Sequence, residues 1–517
     1  MHASSLPRAF LASLERNPDK TLLDFEGQRV SYQAMHQHVR SIAGSLQAWG
    51  LQPGERVALY LENSPSFVAS YLAVLWLGGI IVPINTRYRE SELRHIVNDA
   101  QARLLVTDTQ GMSAVTALRH DLPSVEALLE LQHDLEADRQ RWQALAPADT
   151  LPEALPLNPE AIAVIGYTSG TTGRSKGAML SHGNFCSNSA AVTQAWGWSA
   201  DDQLLLVLPL FHMHGLGVGL HGTLLQGSSI SLMRKFEADT VYARLCQGDI
   251  SMFFGVPTMY GRLLQQATNQ EQRPKGLRLL VSGSAPLSAQ LHADIARAFG
   301  HRILERYGMT ETVMNLGNPL DGERRAGSVG FPFPGVEVRV ADPITNSPLA
   351  TGQSGEIQLR GANICRGYWQ QPEASAEVWS ADAWFKTGDL GYCDAEGYYY
   401  LNGRAKELII SGGFNVYPRE VEEVLEQHPN VHEVAVLGMP DPDLGEKVVA
   451  AVVADAAIAD AASLRDFCKD HIAGFKVPKT LYYVEALPRN ALGKVQKHIL
   501  RDKLETDSSA HPPDTTH

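Results

Sequence analysis

Short apolar runs recur through the first three hundred residues of the chain, and stretches with helical spacing follow them. RVALYL (56–61), QLLLVLP (203–209), ISMFFGVP (250–257) and LRLLVSG (277–283) are almost free of charge. Runs of that length suit strands buried on both faces. A helix is expected after the last of them, over 287–300 (LSAQLHADIARAFG). Alternation of this kind packs as an α/β layered fold with mostly parallel sheets.

A longer apolar stretch, FVASYLAVLWLGGIIVPI (67–84), imitates a membrane span. Gly78, Gly79 and Pro83 interrupt it, whereas a span needs about 20 unbroken apolar residues. The pattern predicts a buried helix over about 65–77, a glycine turn and a buried strand, with no stable membrane insertion. The N-terminus has no long apolar region, and Leu6, Phe10, Leu11 and Leu14 recur at helical spacing. That predicts a surface helix rather than a secretory signal.

At 517 residues the chain exceeds one ordinary core, so two or more domains are expected. A Gly/Pro-punctuated, β-rich stretch runs from about 320 to 400. After Arg404 the pattern predicts a small α+β unit, with helices over 418–429 and 462–472 and strands over 431–440 and 447–455. The expected boundaries are 1–403, 404–505 and a polar, disordered tail over 506–517. The net charge of −13 weighs against a nucleic-acid partner or an anionic membrane surface. Cys186, Cys246, Cys365, Cys393 and Cys468 are scattered, with no CxxC pair. They read as reduced thiols, which points to a reducing compartment such as the cytoplasm and away from zinc or disulfides. Oligomeric state is not legible.

The strongest local signal is YTSGTTGRSKG (167–177), directly after the apolar run AIAVIG (161–166). Gly170, Gly173 and Gly177 let backbone approach a phosphate closely. Thr168, Ser169, Thr171 and Thr172 add hydroxyl donors, and Lys176 adds a compact positive charge. It is not a Walker A loop, because Gly177 rather than Ser or Thr follows the lysine. His212 and His214 in FHMHG (211–215) form an H-x-H pair, with no third ligand close by in sequence to make a zinc site.

The loop resembles the phosphate loop of the adenylate-forming superfamily: acyl-CoA synthetases, peptide-synthetase adenylation domains and luciferases. Further segments match in the family's order, and their wording is most similar to malonyl-CoA synthetases. They are FHMHG, SGSAPL (282–287), RYGMTET (306–312), FKTGDLG (385–391), YLNGRAKELIISGG (400–413) and LPRNALGKVQKHIL (487–500). The resemblance implies an α/β fold, with a large N-terminal domain of layered subdomains plus a small β-barrel-like part, and a small mobile α+β C-terminal lid. It implies that the chain joins a carboxylate to coenzyme A through an acyl-adenylate, using ATP and Mg²⁺.

Residue by residue, the resemblance puts Ser284, Ala285, Tyr307 and Gly308 around the adenine. Thr310 meets the α-phosphate, and Glu311 holds the metal. Asp389 and Arg404 meet the ribose, Lys406 is the hinge, and Gly412 and Gly413 line the path of the CoA arm. Lys494, with Lys176, is implied to neutralise charge during adenylation. His212 and Met309 fall near the acyl site, and GVPTMYGRL (255–263) resembles the start of the acyl-pocket helix. Arg262 lies one turn past Thr258 there and would hold the second carboxylate of malonate or methylmalonate, with Arg234, Lys235 and Arg324 as competing cations. The alternatives are a medium-chain, long-chain or aromatic acid, or an adenylation protein that loads a separate carrier protein.

Overall fold

The computed structural model describes residues 4–168, 175–454, 460–490 and 493–508, with side chains through 505. Among these residues the chain forms three sheets. In a six-stranded sheet, Ala127–Leu131, Leu104–Asp108, Arg56–Tyr60, Ile80–Pro83 and Ile162–Tyr167 run parallel. Gly177–Ser181 folds back antiparallel on Ile162–Tyr167, so the phosphate-loop motif connects the two. The second sheet has 13 strands. Its parallel part includes Gln203–Leu206, Met252–Gly255, Leu279–Ser282 and Ile303–Tyr307. It continues through Leu316–Gly317 into antiparallel strands that include Tyr399–Arg404 and Phe385–Cys393 and end at Val336–Ala341. The β-rich stretch expected to be barrel-like is therefore continuous with the main sheet.

The span-like stretch folds as a buried helix, Pro65–Trp76, followed by the strand Ile80–Pro83. Ser64 caps the helix by accepting from the Phe67 amide at 3.1 Å, and Pro65 suits the first helical turn. Every residue from Pro65 to Trp76 is buried, so no polar face is needed. Gly78 takes a left-handed φ of 73° that lets the chain reverse into the strand. No helix among the described residues is long and apolar enough to cross a membrane. The first helix, Leu6–Arg16, buries Leu6, Phe10 and Leu14, and Ser13 donates to the Leu224 carbonyl at 2.7 Å. It is an integral part of the core. The five cysteines are free, and all but Cys393 are buried.

The third sheet lies wholly within residues 409–483. Val434, Val436, Val448, Ala450 and Val452 point to one face, under the helices Pro418–Leu425 and Ala461–His471. Ala435, Leu437, Val449 and Ala451 alternate to the other face, where Leu500 and Leu504 of the last helix cover them. That helix, Lys497–Ser508, runs past the expected start of the tail at 506, because its apolar residues have a sheet face to bury. Residues 509–517 lie outside the described residues.

The strand Ile303–Tyr307 is buried at all five positions yet carries consecutive charges, Glu305 and Arg306. Glu305 accepts from the Leu287 amide at 3.2 Å, and its second oxygen has no partner among the described residues. Burial pushes its carboxyl up to about 8. The unfolded value is about 4.3, so the folded state keeps a proton that the unfolded chain releases. Stability should therefore decline as pH rises from about 4.3 to about 8. Glu305→Gln, a neutral isostere, should melt higher than wild type near pH 9 and close to it near pH 5. Thermal melts at both values check this, and a pH-independent difference contradicts it.

Candidate active site

A cleft of about 1620 Å³ lies between the six-stranded sheet with its helix Glu90–Ala100 and the C-terminal part of the chain. Tyr167, Ser175, His212 and Thr310 reach it from the N-terminal part, and Lys406 and Lys494 reach it from the C-terminal part. In a neighbouring antiparallel strand pair, Asp389 lies directly opposite Arg404. The Arg404 Nε sits 2.7 Å from the Asp389 carboxylate, and the Tyr307 hydroxyl donates to the other carboxylate oxygen. Burial pushes the Tyr307 phenol well above its usual range, aided by the Asp389 charge. Lys494 faces this cluster. Burial and then the Arg404 charge lower its ammonium pKa, while Asp389 and Glu407 oppose the shift. Three charged side chains and a neutral phenol, separated by up to 187 positions in sequence, thus form one cluster.

A second group lies under the phosphate-loop motif. Lys176 places its Nζ 5.1 Å from the centre of the Tyr368 ring, and the Tyr368 hydroxyl donates to Glu311 at 2.9 Å. Burial raises the Glu311 carboxyl above its usual range. The Thr168 amide donates to the Lys176 carbonyl at 3.0 Å, which closes the base of the loop. Ser169, Gly170, Thr171, Thr172 and Gly173 lie outside the described residues. The segment from Gly308 to Val313 turns tightly: a Cβ on Gly308 would meet the Val313 carbonyl oxygen at 2.0 Å. Only glycine fits there, and the turn directs Thr310 into the cleft. At Gly166, where a Cβ would lie 2.8 Å from the Thr310 methyl, the strand and this turn are in close contact.

Arg306 was not singled out by the sequence. It is 4 % exposed, and its Nη2 donates to Ser284 at 3.3 Å. Its Nε is buried and without a partner, and it forms no ion pair among the described residues. Burial destabilises its charged form, and Glu305, the next residue, provides the opposing influence. Gly283 makes room for it, since a Cβ there would meet the guanidinium at 2.5 Å. Ser284 is held at a left-handed φ of 69°, uncommon for a residue with a side chain. His212 and His214 lie nearby. Burial and the Arg306 charge lower His212 to about 4 and His214 further, so both are neutral. The signal that could have found Arg306 is a charge inside a strand patterned for full burial, which must be compensated.

Two sequence expectations are corrected. Arg262 is exposed on the helix Pro257–Asn269, whose buried face is Tyr260, Leu263 and Ala267. Arg234 is engaged by Glu26 at 3.3 Å and Glu62 at 3.9 Å, and stacks over Phe25, away from the cleft. The other competing cations are also spent: Lys235 pairs with Glu237, and Arg324 donates to backbone carbonyls. Met309 is half-buried, with its sulfur 4.0 Å from the Tyr307 hydroxyl. Ala285 is half-buried beside Ser284. Gly412 and Gly413 form the turn of a hairpin, Ile409–Ser411 with Phe414–Val416, that does not line the cleft.

The chain matches the model of the AMP-binding enzyme family over residues 10–369 and that of the AMP-binding enzyme C-terminal domain over 420–494. It is similar to the ATP-bound crystal structure of MatB from Rhodopseudomonas palustris, with a TM-score of 0.90 and 38% identity, covering 98% of this chain and 99% of that one. A sulfoacetate–CoA ligase of Cupriavidus necator is 36% identical, over 93% of this chain and 94% of the relative. A malonate–CoA ligase of Arabidopsis thaliana is 35% identical, over 89% and 79%. Relatives of comparable identity are named for a long-chain fatty acid and for ferulate, so likeness by itself does not choose the acid. The chain belongs to the AMP-binding enzyme family and is an ATP-dependent acid–CoA ligase that works through an acyl-adenylate.

Proposed function

We propose that the acid is malonate or a short 2-substituted malonate, and that Arg306 holds the carboxylate that does not react. The observation that carries this is a buried guanidinium with an unbonded Nε and no acidic partner among the described residues. A buried cation left unpaired costs several kcal/mol, and a dicarboxylate supplies the missing charge in bidentate form. A fatty-acid or aromatic pocket gains nothing from that cation. The names of two relatives, sulfoacetate and malonate ligases, each denote an acid with a second anionic group.

In the proposed mechanism the free carboxylate attacks the α-phosphorus of ATP, and pyrophosphate leaves. Thr310 donates to the α-phosphate. Lys176 and Lys494 offset the charge that builds as pyrophosphate departs. Asp389 and Arg404 take the ribose hydroxyls, and Tyr307 packs on the adenine with Ser284, Ala285 and Gly308. Glu311 suits Mg²⁺. It is a buried carboxylate whose partner is a neutral phenol, so a divalent cation would restore its ionised form. When bound, that ion would neutralise part of the triphosphate charge.

The lid of this proposal comprises residues 404–505 and pivots at Lys406. After adenylation it withdraws Lys494 and brings the Gly412–Gly413 hairpin over the acyl-adenylate. The CoA thiol then attacks the acyl carbon, and AMP leaves. The hairpin supports this reading: Ile410 and Phe414 on it are 54% and 56% exposed, an apolar surface that a second lid position would cover.

Two outcomes are expected. Arg306→Met should lower kcat/KM for malonate by about 30-fold or more, the equivalent of at least about 2 kcal/mol for a charged partner removed. The same variant should accept butyrate as well as wild type does or better. Steady-state kinetics on both acids check this, and an unchanged malonate kcat/KM contradicts the assignment. Lys494→Ala should lose acid-dependent ATP–pyrophosphate exchange by about 10²- to 10³-fold. It should still form the thioester from supplied malonyl-AMP and CoA. Equal loss in the two assays would contradict a lysine that serves adenylation alone.

A further inference from the structure

Lys494 is held by residues on both sides of it in sequence. The Lys494 amide donates to the Asn490 side-chain oxygen at 3.0 Å, and the Asn490 amide donates to the Lys494 carbonyl at 2.9 Å. Arg489 bridges to Val495 across the base of this turn. The Arg489 guanidinium then reaches in two directions. Its Nη1 donates to the Gly493 carbonyl at 2.6 Å, and its Nη2 meets the Glu433 carboxylate at 2.9 Å. Glu433 belongs to the strand Val431–Asp441, so the clamp ties the residue before Lys494 to the lid's own sheet. Gly493 has a left-handed φ of 78°, and a Cβ there would lie 3.0 Å from the Thr258 hydroxyl. The loop therefore seats against the first turn of the helix Pro257–Asn269.

We propose that Arg489 is a positioning residue: clamped between Glu433 and the Gly493 carbonyl, it fixes the loop that presents Lys494 to the cleft. The inference rests on the reading of Lys494 given above. The Arg489–Glu433 pair is partly exposed, so as an ion pair it is worth little. Its value is geometric. A planar fork satisfies a carboxylate and a carbonyl at once and holds Gly493, next to Lys494, in place. A flexible lysine on a loosened loop loses the orientation that makes its charge useful, and misplacement by about 1 Å can cost about 10²-fold.

Arg489→Ala and Glu433→Gln should each lower the maximal rate of malonate-dependent pyrophosphate exchange, by about 10- to 100-fold for the arginine and less for the glutamate. The KM for ATP should stay within about two-fold, and thioester formation from supplied malonyl-AMP should be retained. Glu433 does not line the cleft, so an effect there reports positioning rather than contact with substrate. The double variant should be no worse than Arg489→Ala, because both changes release one clamp. A raised KM for ATP in Arg489→Ala, with Glu433→Gln unaffected, would make Arg489 a substrate ligand and overturn the inference. So would exchange rates unchanged in both variants while Lys494→Ala abolishes exchange. Exchange that survives in Lys494→Ala would overturn the reading of Lys494 and this inference together. Thermal melting of each variant separates these results from misfolding.

Discussion

The contact between Asp389, Arg404 and Tyr307 is the constraint on which the rest of the site depends. Asp389 and Arg404 oppose each other in neighbouring antiparallel strands, and Tyr307 reaches the same carboxylate from the parallel part of the sheet. Arg404 is also the last residue of its strand, and a short helical turn, Ala405–Glu407, follows it directly. The pair thus anchors the point from which the C-terminal unit departs. Lys494, returning from that unit, faces the same charges. Removing Asp389 would leave the Arg404 and Lys494 charges facing each other without the carboxylate between them, which is more costly than losing a surface pair.

Two other buried charges are incompletely compensated by the chain itself. Arg306 has an unbonded Nε and no acidic partner among the described residues, and the side-chain hydrogen bond to Glu311 comes from a neutral phenol. A fold selected only for stability would fill both positions with apolar groups of similar volume. In the proposed function each position meets a ligand of opposite charge: an anion beside Ser284 and the neutral histidines, and a cation at Glu311. Glu305, on the other side of the same strand, meets the cost differently by keeping its proton. One strand therefore carries both answers to a buried charge, neutralisation and readiness for a partner.

Much of the fold was legible because burial leaves a plain pattern. The apolar runs became strands within a few residues of their expected ends, and Gly78 and Pro83 marked where the span-like stretch breaks. The ordered motifs named the residues that converge from Tyr307 to Lys494. The exposure of Arg262 was not legible, for a physical reason. Arg262 follows Thr258 by one helical turn, but a spacing rule gives the shared face without saying whether that face is covered. On this helix Tyr260 and Leu263 take the core and Arg262 is left outside. Arg306 was hidden inside a motif read for its other residues. The clamp on Lys494 was also illegible, because Glu433 and Arg489 are brought together by a sheet register and not by sequence distance.

The central claim is that a buried cation selects an acid with a second negative charge. Its most direct test is the binding of unreactive acyl-adenylate analogues, in which a sulfamate replaces the phosphate, by isothermal titration without CoA. The malonyl analogue should bind about 30-fold or more tightly than the butyryl analogue, the margin that corresponds to about 2 kcal/mol for a charge-paired carboxylate. That margin should vanish in Arg306→Met. Equal binding of the two analogues by the wild-type chain, or tighter binding of the butyryl analogue, would contradict the account.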